Sequence, residues 1–514
     1  MRWRLPGLAA LAILGIWTGA CGPSPSSSLS DAPAPTANAA GADVLLITID
    51  TLRADAVGFA GGFGADHQKP ETPNLDRLAA AGRVYTDAHA HNVVTLPSHT
   101  NILTGRYPWQ HGVRDNSGFV VPATVPTLAT LLKEAGYATG AFVAAYPLDA
   151  GFGLNRGFDV YDDKFPRGSR PGDFAMAERR GDQVVAPALA WWDAHRGQRR
   201  FLWVHLYDPH SPYDPPEPFR SRFRDNLYLG DVAAADSYLA PLLDPLLAGR
   251  QPPALVVVTA DHGEALGDHG ELTHGLFAYE STLKVPLVVW GPGVQTGKDD
   301  RPARHVDILP TVLGALGVQL PQDLPGRSLL AAPAADPGQL AYFESLSTSL
   351  NRGWAPLRGI LHDRKKYIDL PLPELYDLAK DPGETANLFA DERRTARALA
   401  AELPKESVWP PPKGAVSPEE EARLRSLGYS VGSAGDKTTW TAADDPKNLV
   451  AVDRKLHRSV ELYSLGRYEE AAALGREILA ERPDLAEAAE HLALSLRQLE
   501  RHDEAIAVLR AALD

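Results

Sequence analysis

Asp261 and His262 stand side by side at the end of an apolar run, Leu255-Val256-Val257-Val258-Thr259-Ala260, and lead into Gly263-Glu264. A carboxylate next to an imidazole offers an oxygen and a nitrogen donor to one divalent cation such as Zn²⁺ or Mn²⁺. Asp50 closes a second run of the same kind, Val44-Leu45-Leu46-Ile47-Thr48-Ile49. A hydroxyl joins them in the segment Val94-Thr95-Leu96-Pro97-Ser98-His99. Pro97 is suited to start a helix that Gly105 ends, which leaves Thr95 just ahead of a helix N-terminus, where free N–H groups and the dipole favour an anion. That is a fitting place for a hydroxyl nucleophile. Taken singly, each group has a plainer reading: Asp261-His262 as a solvated loop, Thr95 as a helix cap.

The elements that must position these groups are legible in the same runs. Short β-branched stretches that break off in a carboxylate read as buried strands of a parallel sheet, and in such sheets ligands collect beyond the carboxyl ends. Phe201–Leu206 is a third such strand, delivering Tyr207-Asp208-Pro209-His210-Ser211-Pro212-Tyr213 to the same edge, and Lys284 precedes a further strand at Leu287–Trp290. Thr72 and Pro73 read as the cap and first residue of a helix. The fold class is therefore α/β, a mostly parallel sheet flanked by helices.

At 514 residues the chain is too long for one ordinary domain. Its 44% hydrophobic and 23% charged residues are those of a folded soluble protein, and a net charge of −14 argues against nucleic acid as a partner. The single cysteine, Cys21, follows a basic Met1-Arg2-Trp3-Arg4 and an apolar Leu5–Trp17 that is too short to span a bilayer comfortably. This resembles a bacterial lipoprotein signal, with an ordinary secretory signal as the alternative. It implies export to the cell envelope or periplasm, with lipid anchoring at Cys21 as the sole membrane contact. With no other cysteine, disulfides and thiolate metal sites are excluded.

The organisation expected is a signal over 1–21, a Pro/Ser/Ala-rich tether over 22–42, a catalytic domain over 43–402, a linker with a short helix over 403–445, and helical repeats over 446–514. In the repeats Ala471 aligns with Ala505 at a period of 34, with Leu465 over Leu499 and Pro483 closing the first unit. This is the tetratricopeptide pattern, and two units fall short of an independent solenoid, so they dock on the catalytic domain, on themselves or on a protein partner. Residues 166–182, rich in Gly, Pro and basic groups, read as an insertion near the cleft mouth.

From about 43 to 392 the chain resembles the sulfatase family of the alkaline-phosphatase superfamily. The resemblance rests on Asp50, Thr72-Pro73-Asn74-Leu75-Asp76, Pro97-Ser98 with Leu103-Thr104-Gly105-Arg106-Tyr107-Pro108, Asp261-His262-Gly263-Glu264, Val306-Asp307-Ile308-Leu309-Pro310-Thr311 and Glu374-Leu375-Tyr376-Asp377-Leu378. It implies an alkaline-phosphatase/sulfatase-like sheet and one metal held by Asp50, Thr95, Asp261 and His262. The ion is Zn, Mn, Ca or Mg. Sulfatases proper carry a cysteine or serine at the Thr95 position, the cysteine becoming formylglycine, and an arginine at the His99 position. That modification is not expected here. Thr95 instead resembles the threonine of nucleotide pyrophosphatases, phosphate-transferring alkaline phosphatases and phosphoethanolamine transferases, whose ester must be released by a second attack.

Further roles follow from the resemblance. Asn116, 21 residues after Thr95, matches an asparagine that contacts the transferring oxygens, or is only a turn residue. His210 and His274, with Asp208, match groups that hold a second metal or bind substrate oxygens. Lys284 matches a lysine that pairs with substrate oxygens, with Glu264, His269, Arg106 and His111 in support. The function implied is a metal-dependent hydrolase of sulfate or phosphate esters acting through Thr95 on a small-molecule, glycan or lipid ester, with phosphoryl transfer favoured on chemistry. The rivals are a phosphoethanolamine-type phosphotransferase of the envelope and a catalytically idle sulfatase-fold scaffold whose repeats bind a protein.

Overall fold

The strand Asp43–Ile49 is buried along its whole length and lies at the centre of an eight-stranded sheet. Residues 39–64, 68–165, 178–332, 339–406, 413–426 and 437–512 are described in the structure, a computed structural model. The N-terminal signal, the tether up to residue 38, most of the 166–182 insertion and the stretches 407–412 and 427–436 lie outside the described residues.

From one edge, the strands of the sheet run Val160–Asp162, Ala138–Phe142, Arg200–Leu206, Asp43–Ile49, Ala254–Ala260, Leu287–Trp290, Arg83–Tyr85 and Gly297–Asp299. The first five are mutually parallel, and Leu287–Trp290 is antiparallel to both neighbours. Burial on both faces explains why the three central strands read as unbroken apolar runs rather than alternating ones. Ile49 pairs with Leu206 on one side and Ala260 on the other, so Asp50, Tyr207 and Asp261 leave the sheet at one level. At the opposite end, the Arg200 guanidinium binds Asp43 and stacks 3.9 Å above the Trp192 ring, tying two central strands together.

Two groups of helices flank the sheet: Pro73–Ala81, Gly181–Ala194 and Leu227–Leu247 pack together, as do Thr95–Thr104 and His305–Leu316. Thr72 does occupy the cap position of its helix, but its hydroxyl accepts from the Gly58 N–H and donates to the Asp76 carboxylate instead of accepting a backbone N–H of the first turn. An antiparallel sheet of Ala341–Ser345, Leu357–His362, Lys365–Asp369 and Glu374–Asp377 follows, with helix Arg393–Ala401 packed on it.

The chain ends in a helical module, Pro446–Ser464, Tyr468–Glu481, Ala486–Gln498 and His502–Ala511, each helix packed on the next. Gly475 lets two of them close in, since a Cβ there would lie 3.0 Å from Leu492 Cβ. The module is joined to the rest by burial and by charge. Leu449, Val452 and Leu456 belong to the main core, and Arg352 reaches both Asp453 and Glu487 at 2.6 Å with all three side chains largely buried. Removing one member of such a group strands its partners, at a cost of roughly 3–5 kcal/mol. Arg352→Ala is therefore expected to loosen the module while the eight-stranded sheet stays intact. Hydrogen exchange should show faster exchange in 446–464 and no change in 254–260; unchanged exchange in 446–464 would count against this clamp.

Candidate metal centre and active site

Three ligand atoms converge where the central strands end. Asp50, Asp261 and His262 are fully buried, and one ligand atom from each lies within 4.8 Å of the other two. Asp50 Oδ1, Asp261 Oδ2 and His262 Nε2 all lack a hydrogen-bond partner. Two unsatisfied carboxylate oxygens and an imidazole nitrogen so close together are costly in a buried site unless a cation sits among them. The residues therefore fit a divalent ion.

The surroundings aim these atoms. His262 Nδ1 donates to the Gly263 carbonyl, which fixes the tautomer with the Nε2 lone pair turned to the cluster. Asp261 Oδ1 accepts from the backbone N–H groups of Thr51 (3.2 Å) and His262 (2.8 Å), leaving Oδ2 for the ion. Thr51 adopts a left-handed φ of 53°, an uncommon conformation for a β-branched residue, and its N–H is thereby spent on the ligand. Burial, reinforced for Asp50 by Asp261 and Glu264, pushes both carboxyls well above the usual range. Burial likewise holds His262 neutral.

Thr95 Oγ1 donates to Asp50 Oδ2 at 3.3 Å, so the hydroxyl stands at the cluster. Its place in the helix differs from expectation: the helix runs Thr95–Thr104 and Thr95 is its first residue, not a residue ahead of it. Pro97 is tolerated at the third position because N–H groups of a first turn have no intrahelical acceptor to lose. Asn116 supplies the missing cap from a distance, accepting the Leu96 N–H at 2.8 Å, while its buried Nδ2 has no partner. Ser98 Oγ lies 2.9 Å from the Asp261 carbonyl, tying the helix to the metal strand. His99 donates from Nδ1 to the Thr95 carbonyl and accepts at Nε2 from Thr48; burial lowers its pKa to about 4, so a neutral imidazole stands where an arginine was the family expectation.

A histidine cluster continues from the metal ligands. His274 packs against His262 at 4.5 Å between ring centres and against His210 at 5.0 Å. Glu264 holds His274 through Oε1···Nδ1 at 3.0 Å and accepts from Tyr213 at its other oxygen. His210 donates from Nδ1 to the Ser211 carbonyl and stacks on Tyr207. Asp208 turns another way, accepting from the Gly181 N–H, and among the described residues Asp50, Asp261 and His262 form the one set of three that meets the distance for an ion.

Lys284 lines a cavity of about 540 Å³ with Arg53, Glu280 and Glu384, and Arg53 in turn donates to the Glu264 and Ala265 carbonyls. His269 lines that cavity too and stacks on Tyr279. Arg106 reaches Gln322, and His111 is held by Asn101. His205 was not foreseen. It lies in register with Thr48 on the neighbouring strand, accepts the Ala144 N–H at Nδ1, and brings Nε2 to 3.4 Å from Asp50 Oδ2. Its only signal in the sequence is a histidine inside an apolar strand.

Asp208 also belongs to a buried acidic group. Burial, with Asp208 and Glu178 nearby, pushes Asp231 up to about 8, while its Oδ2 accepts the Asp214 N–H. A folded-state value far above the unfolded one near 4 means that stability is lost as pH rises from about 4 through 8. Asp231→Asn keeps an acceptor and removes the titration. Its melting advantage over the parent is expected to grow between pH 4.5 and 8.5, reaching roughly 1–3 kcal/mol. A difference that stays flat with pH would refute the assignment.

Residues 42–318 match the family model Sulfatase, and residues 267–407 match the model N-sulphoglucosamine sulphohydrolase, C-terminal. The chain is 26% identical to the uncharacterized sulfatase YidJ of Escherichia coli (strain K12), over 68% of this chain and 83% of that protein. It is 24% identical to the choline-sulfatase of Rhizobium meliloti (strain 1021), over 62% and 78% respectively. The crystal structure of a phosphonate monoester hydrolase of Agrobacterium radiobacter shares the fold at a TM-score of 0.56, with 22% identity over 70% of this chain and 94% of that one. With the Sulfatase model covering more than half of its length, and the aspartates, threonine and histidine gathered at the strand ends as described, the chain belongs to the sulfatase family.

Proposed function

We propose that the protein is a metal-dependent hydrolase of sulfuric, phosphoric or phosphonic esters in which Thr95 is the nucleophile. The observation that carries the reading is the Thr95 hydroxyl bonded to Asp50 beside three orphaned ligand atoms. Asp50, Asp261 and His262, with Thr95, would hold the ion. An imidazole among the donors favours Zn²⁺ or Mn²⁺ over Ca²⁺ or Mg²⁺. Bound there, the cation supplies acidity to the Thr95 hydroxyl and screens charge on the transferring group.

The chain's own residues do the rest. The Thr95 oxygen attacks sulfur or phosphorus as its proton leaves along the bond to Asp50. The unpaired Asn116 Nδ2–H donates to a non-bridging oxygen of the transferring group. His274, which packs on His262 and is braced by Glu264, and His210 beside it would donate hydrogen bonds to the departing oxygen, with His274 the better proton donor because Glu264 can resupply it. Water then attacks the threonine ester and returns the hydroxyl. A plain ester released this way suits phosphorus more readily than sulfur.

The N-terminal segment ending at Cys21 supports export and lipid anchoring, and the 34-residue period supports a tetratricopeptide assignment for the C-terminal helices. The test is a panel of aryl sulfate, phosphate monoester, phosphodiester and phosphonate monoester, assayed with and without chelator and followed by mass spectrometry of quenched enzyme. A metal-dependent adduct on the peptide carrying Thr95 is expected. Turnover with the adduct elsewhere would overturn the nucleophile, and an intact metal with no turnover of any substrate would favour the scaffold.

A further inference from the structure

Two histidines face the carboxylate of Asp50, and backbone groups set them in opposite tautomers. His262 gives its Nδ1 proton to the Gly263 carbonyl and turns a bare Nε2 toward Asp50 Oδ1, 3.9 Å away. His205 does the reverse, its Nδ1 accepting the Ala144 N–H at 3.2 Å. A ring nitrogen that accepts an amide proton carries none of its own, so the imidazole is neutral and its proton is on Nε2. An imidazolium would set two N–H donors against each other at Ala144. Nε2 is buried without a hydrogen-bond partner of full geometry and lies 3.4 Å from Asp50 Oδ2. That distance is long for a hydrogen bond, as contacts around a reacting centre often are before cofactor and substrate bind. The sheet accounts for the placement. His205 pairs with Thr48, and residues two apart on a strand share a face, so His205 stands one pleat below Asp50 on its own side. The His99 ring meets His205 edge-on at 4.9 Å between centres, but both its nitrogens are engaged, Nδ1 by the Thr95 carbonyl and Nε2 by the Thr48 hydroxyl. Thr48 in turn accepts from the Trp203 indole. Asp50 is therefore the acceptor left in front of the His205 proton.

We propose that His205 is a positioning residue for the metal ligand Asp50: its Nε2–H holds Oδ2, which leaves Oδ1 to the cation, and it keeps that hold when Thr95 releases it. Thr95 Oγ1 donates to the same oxygen at 3.3 Å, and that bond is lost once the hydroxyl has become an ester. His205 is then the donor that stops the carboxylate from swinging. With Oδ2 occupied and Oδ1 unpartnered, Asp50 is set to meet the ion through one oxygen. His205 is not itself a ligand, because the nitrogen that faces the cluster carries the proton and the other is spent on Ala144. The assignment rests on the cation site and the Thr95 nucleophile of the hydrolase reading above, and adds to them a residue that neither requires.

Asparagine and glutamine separate the two ring nitrogens, since the Asn amide reaches the place of Nδ1 and the Gln amide that of Nε2. His205→Asn keeps an acceptor for Ala144 and loses the donor to Asp50, whereas His205→Gln keeps the donor and loses the acceptor. Full-length protein is stripped with chelator and reloaded with Zn²⁺ or Co²⁺, the affinity being read against a competing chelating dye and the ligand geometry from the Co²⁺ absorption spectrum. His205→Asn should weaken Zn²⁺ binding about ten- to a hundredfold and shift the Co²⁺ bands, while His205→Gln should stay within about threefold of the parent and keep them. In turnover His205→Asn should lower kcat more than it raises KM, because the ester is the state in which Asp50 relies on His205. A purely structural role predicts the opposite order, with Asn the better replacement because it satisfies the Ala144 N–H. If His205→Asn binds zinc as the parent does, or His205→Gln loses as much as His205→Asn, the assignment is overturned; equal losses with altered Co²⁺ bands would make His205 a ligand instead. The tautomer is read in the parent itself by NMR of protein labelled with ¹⁵N in the histidine rings, His205 being identified by its coupling to the Ala144 amide across the hydrogen bond. A proton found on Nδ1 would overturn the assignment even were neither variant to fold. A parent that takes up neither Zn²⁺ nor Co²⁺ fails at the cation site, a result distinct from any fault at His205, and takes this assignment with it.

Discussion

Thr95→Ala should leave a folded protein that still takes up metal but turns over ester at least about a thousandfold more slowly, a loss of roughly 4 kcal/mol of transition-state stabilisation. The size follows from what the hydroxyl does in the geometry. It is the one group at the cluster that can bond covalently to the transferring atom and then be regenerated, and no neighbouring side chain stands in for it: Ser98 is held by two backbone carbonyls and His99 is bound at both nitrogens. Little structural cost is expected, because Thr95 is the first residue of its helix, its N–H closes no intrahelical bond there, and alanine is the better helix former. Thr95→Ser keeps the oxygen and should retain activity within about tenfold, the loss reflecting freer rotation about χ1 once the methyl is gone. Mass-spectrometric trapping should detect the adduct in the parent and in Thr95→Ser and none in Thr95→Ala. Equal rates for the parent and the alanine variant, with metal present in both, would remove Thr95 from the reaction.

The parts of this site legible in the sequence are those that depend on single strands. A parallel strand buried on both faces must read as an apolar run, and the first polar residue beyond it must emerge at the ligand edge; Asp50 and Asp261 therefore declare themselves, and the parallel register then brings them level. Thr95 was harder, because proline is accepted in any of the first helical positions and so marks a helix start only to within a turn. His205 was hidden because a strand histidine acquires meaning only when the neighbouring strand is known, here through Thr48 and Asp50. Lys284 depends on tertiary context in the same way: its place before a strand fitted a substrate-binding lysine, and the short helix Glu280–Leu283 sets it on the wall of a cavity with Arg53, Glu280 and Glu384, a setting that no local pattern announced. For a similar reason the docking of the C-terminal helices stayed open among the catalytic domain, themselves and a partner: a period of 34 defines helix pairs, whereas Arg352 meeting Asp453 and Glu487 is a contact across 101 and 135 residues.

Asp261→Asn should reverse its effect on stability according to whether metal is present. With metal, the substitution removes a charged ligand oxygen from the ion, so affinity should fall at least about a hundredfold and activity with it. In the parent, an excess of about a hundredfold over the dissociation constant stabilises the fold by about 2.7 kcal/mol, a gain the variant forfeits. Without metal the balance is opposite. Asp50 and Asp261 then face each other in a site from which water is excluded, with Glu264 adding to the repulsion, and no arginine or lysine bonds either side chain among the described residues. Replacing one of them by an amide of nearly the same shape relieves that repulsion, while the backbone donors from Thr51 and His262 keep their acceptor at Oδ1. The chelated variant should therefore melt at or above the chelated parent, and Zn²⁺ or Mn²⁺ should raise the parent's midpoint while scarcely moving the variant's. Metal content measured on the same samples fixes the interpretation. A variant that still binds metal as the parent does, or a parent whose midpoint and activity are indifferent to chelation, would show that the orphaned atoms at the strand ends do not form a cation site.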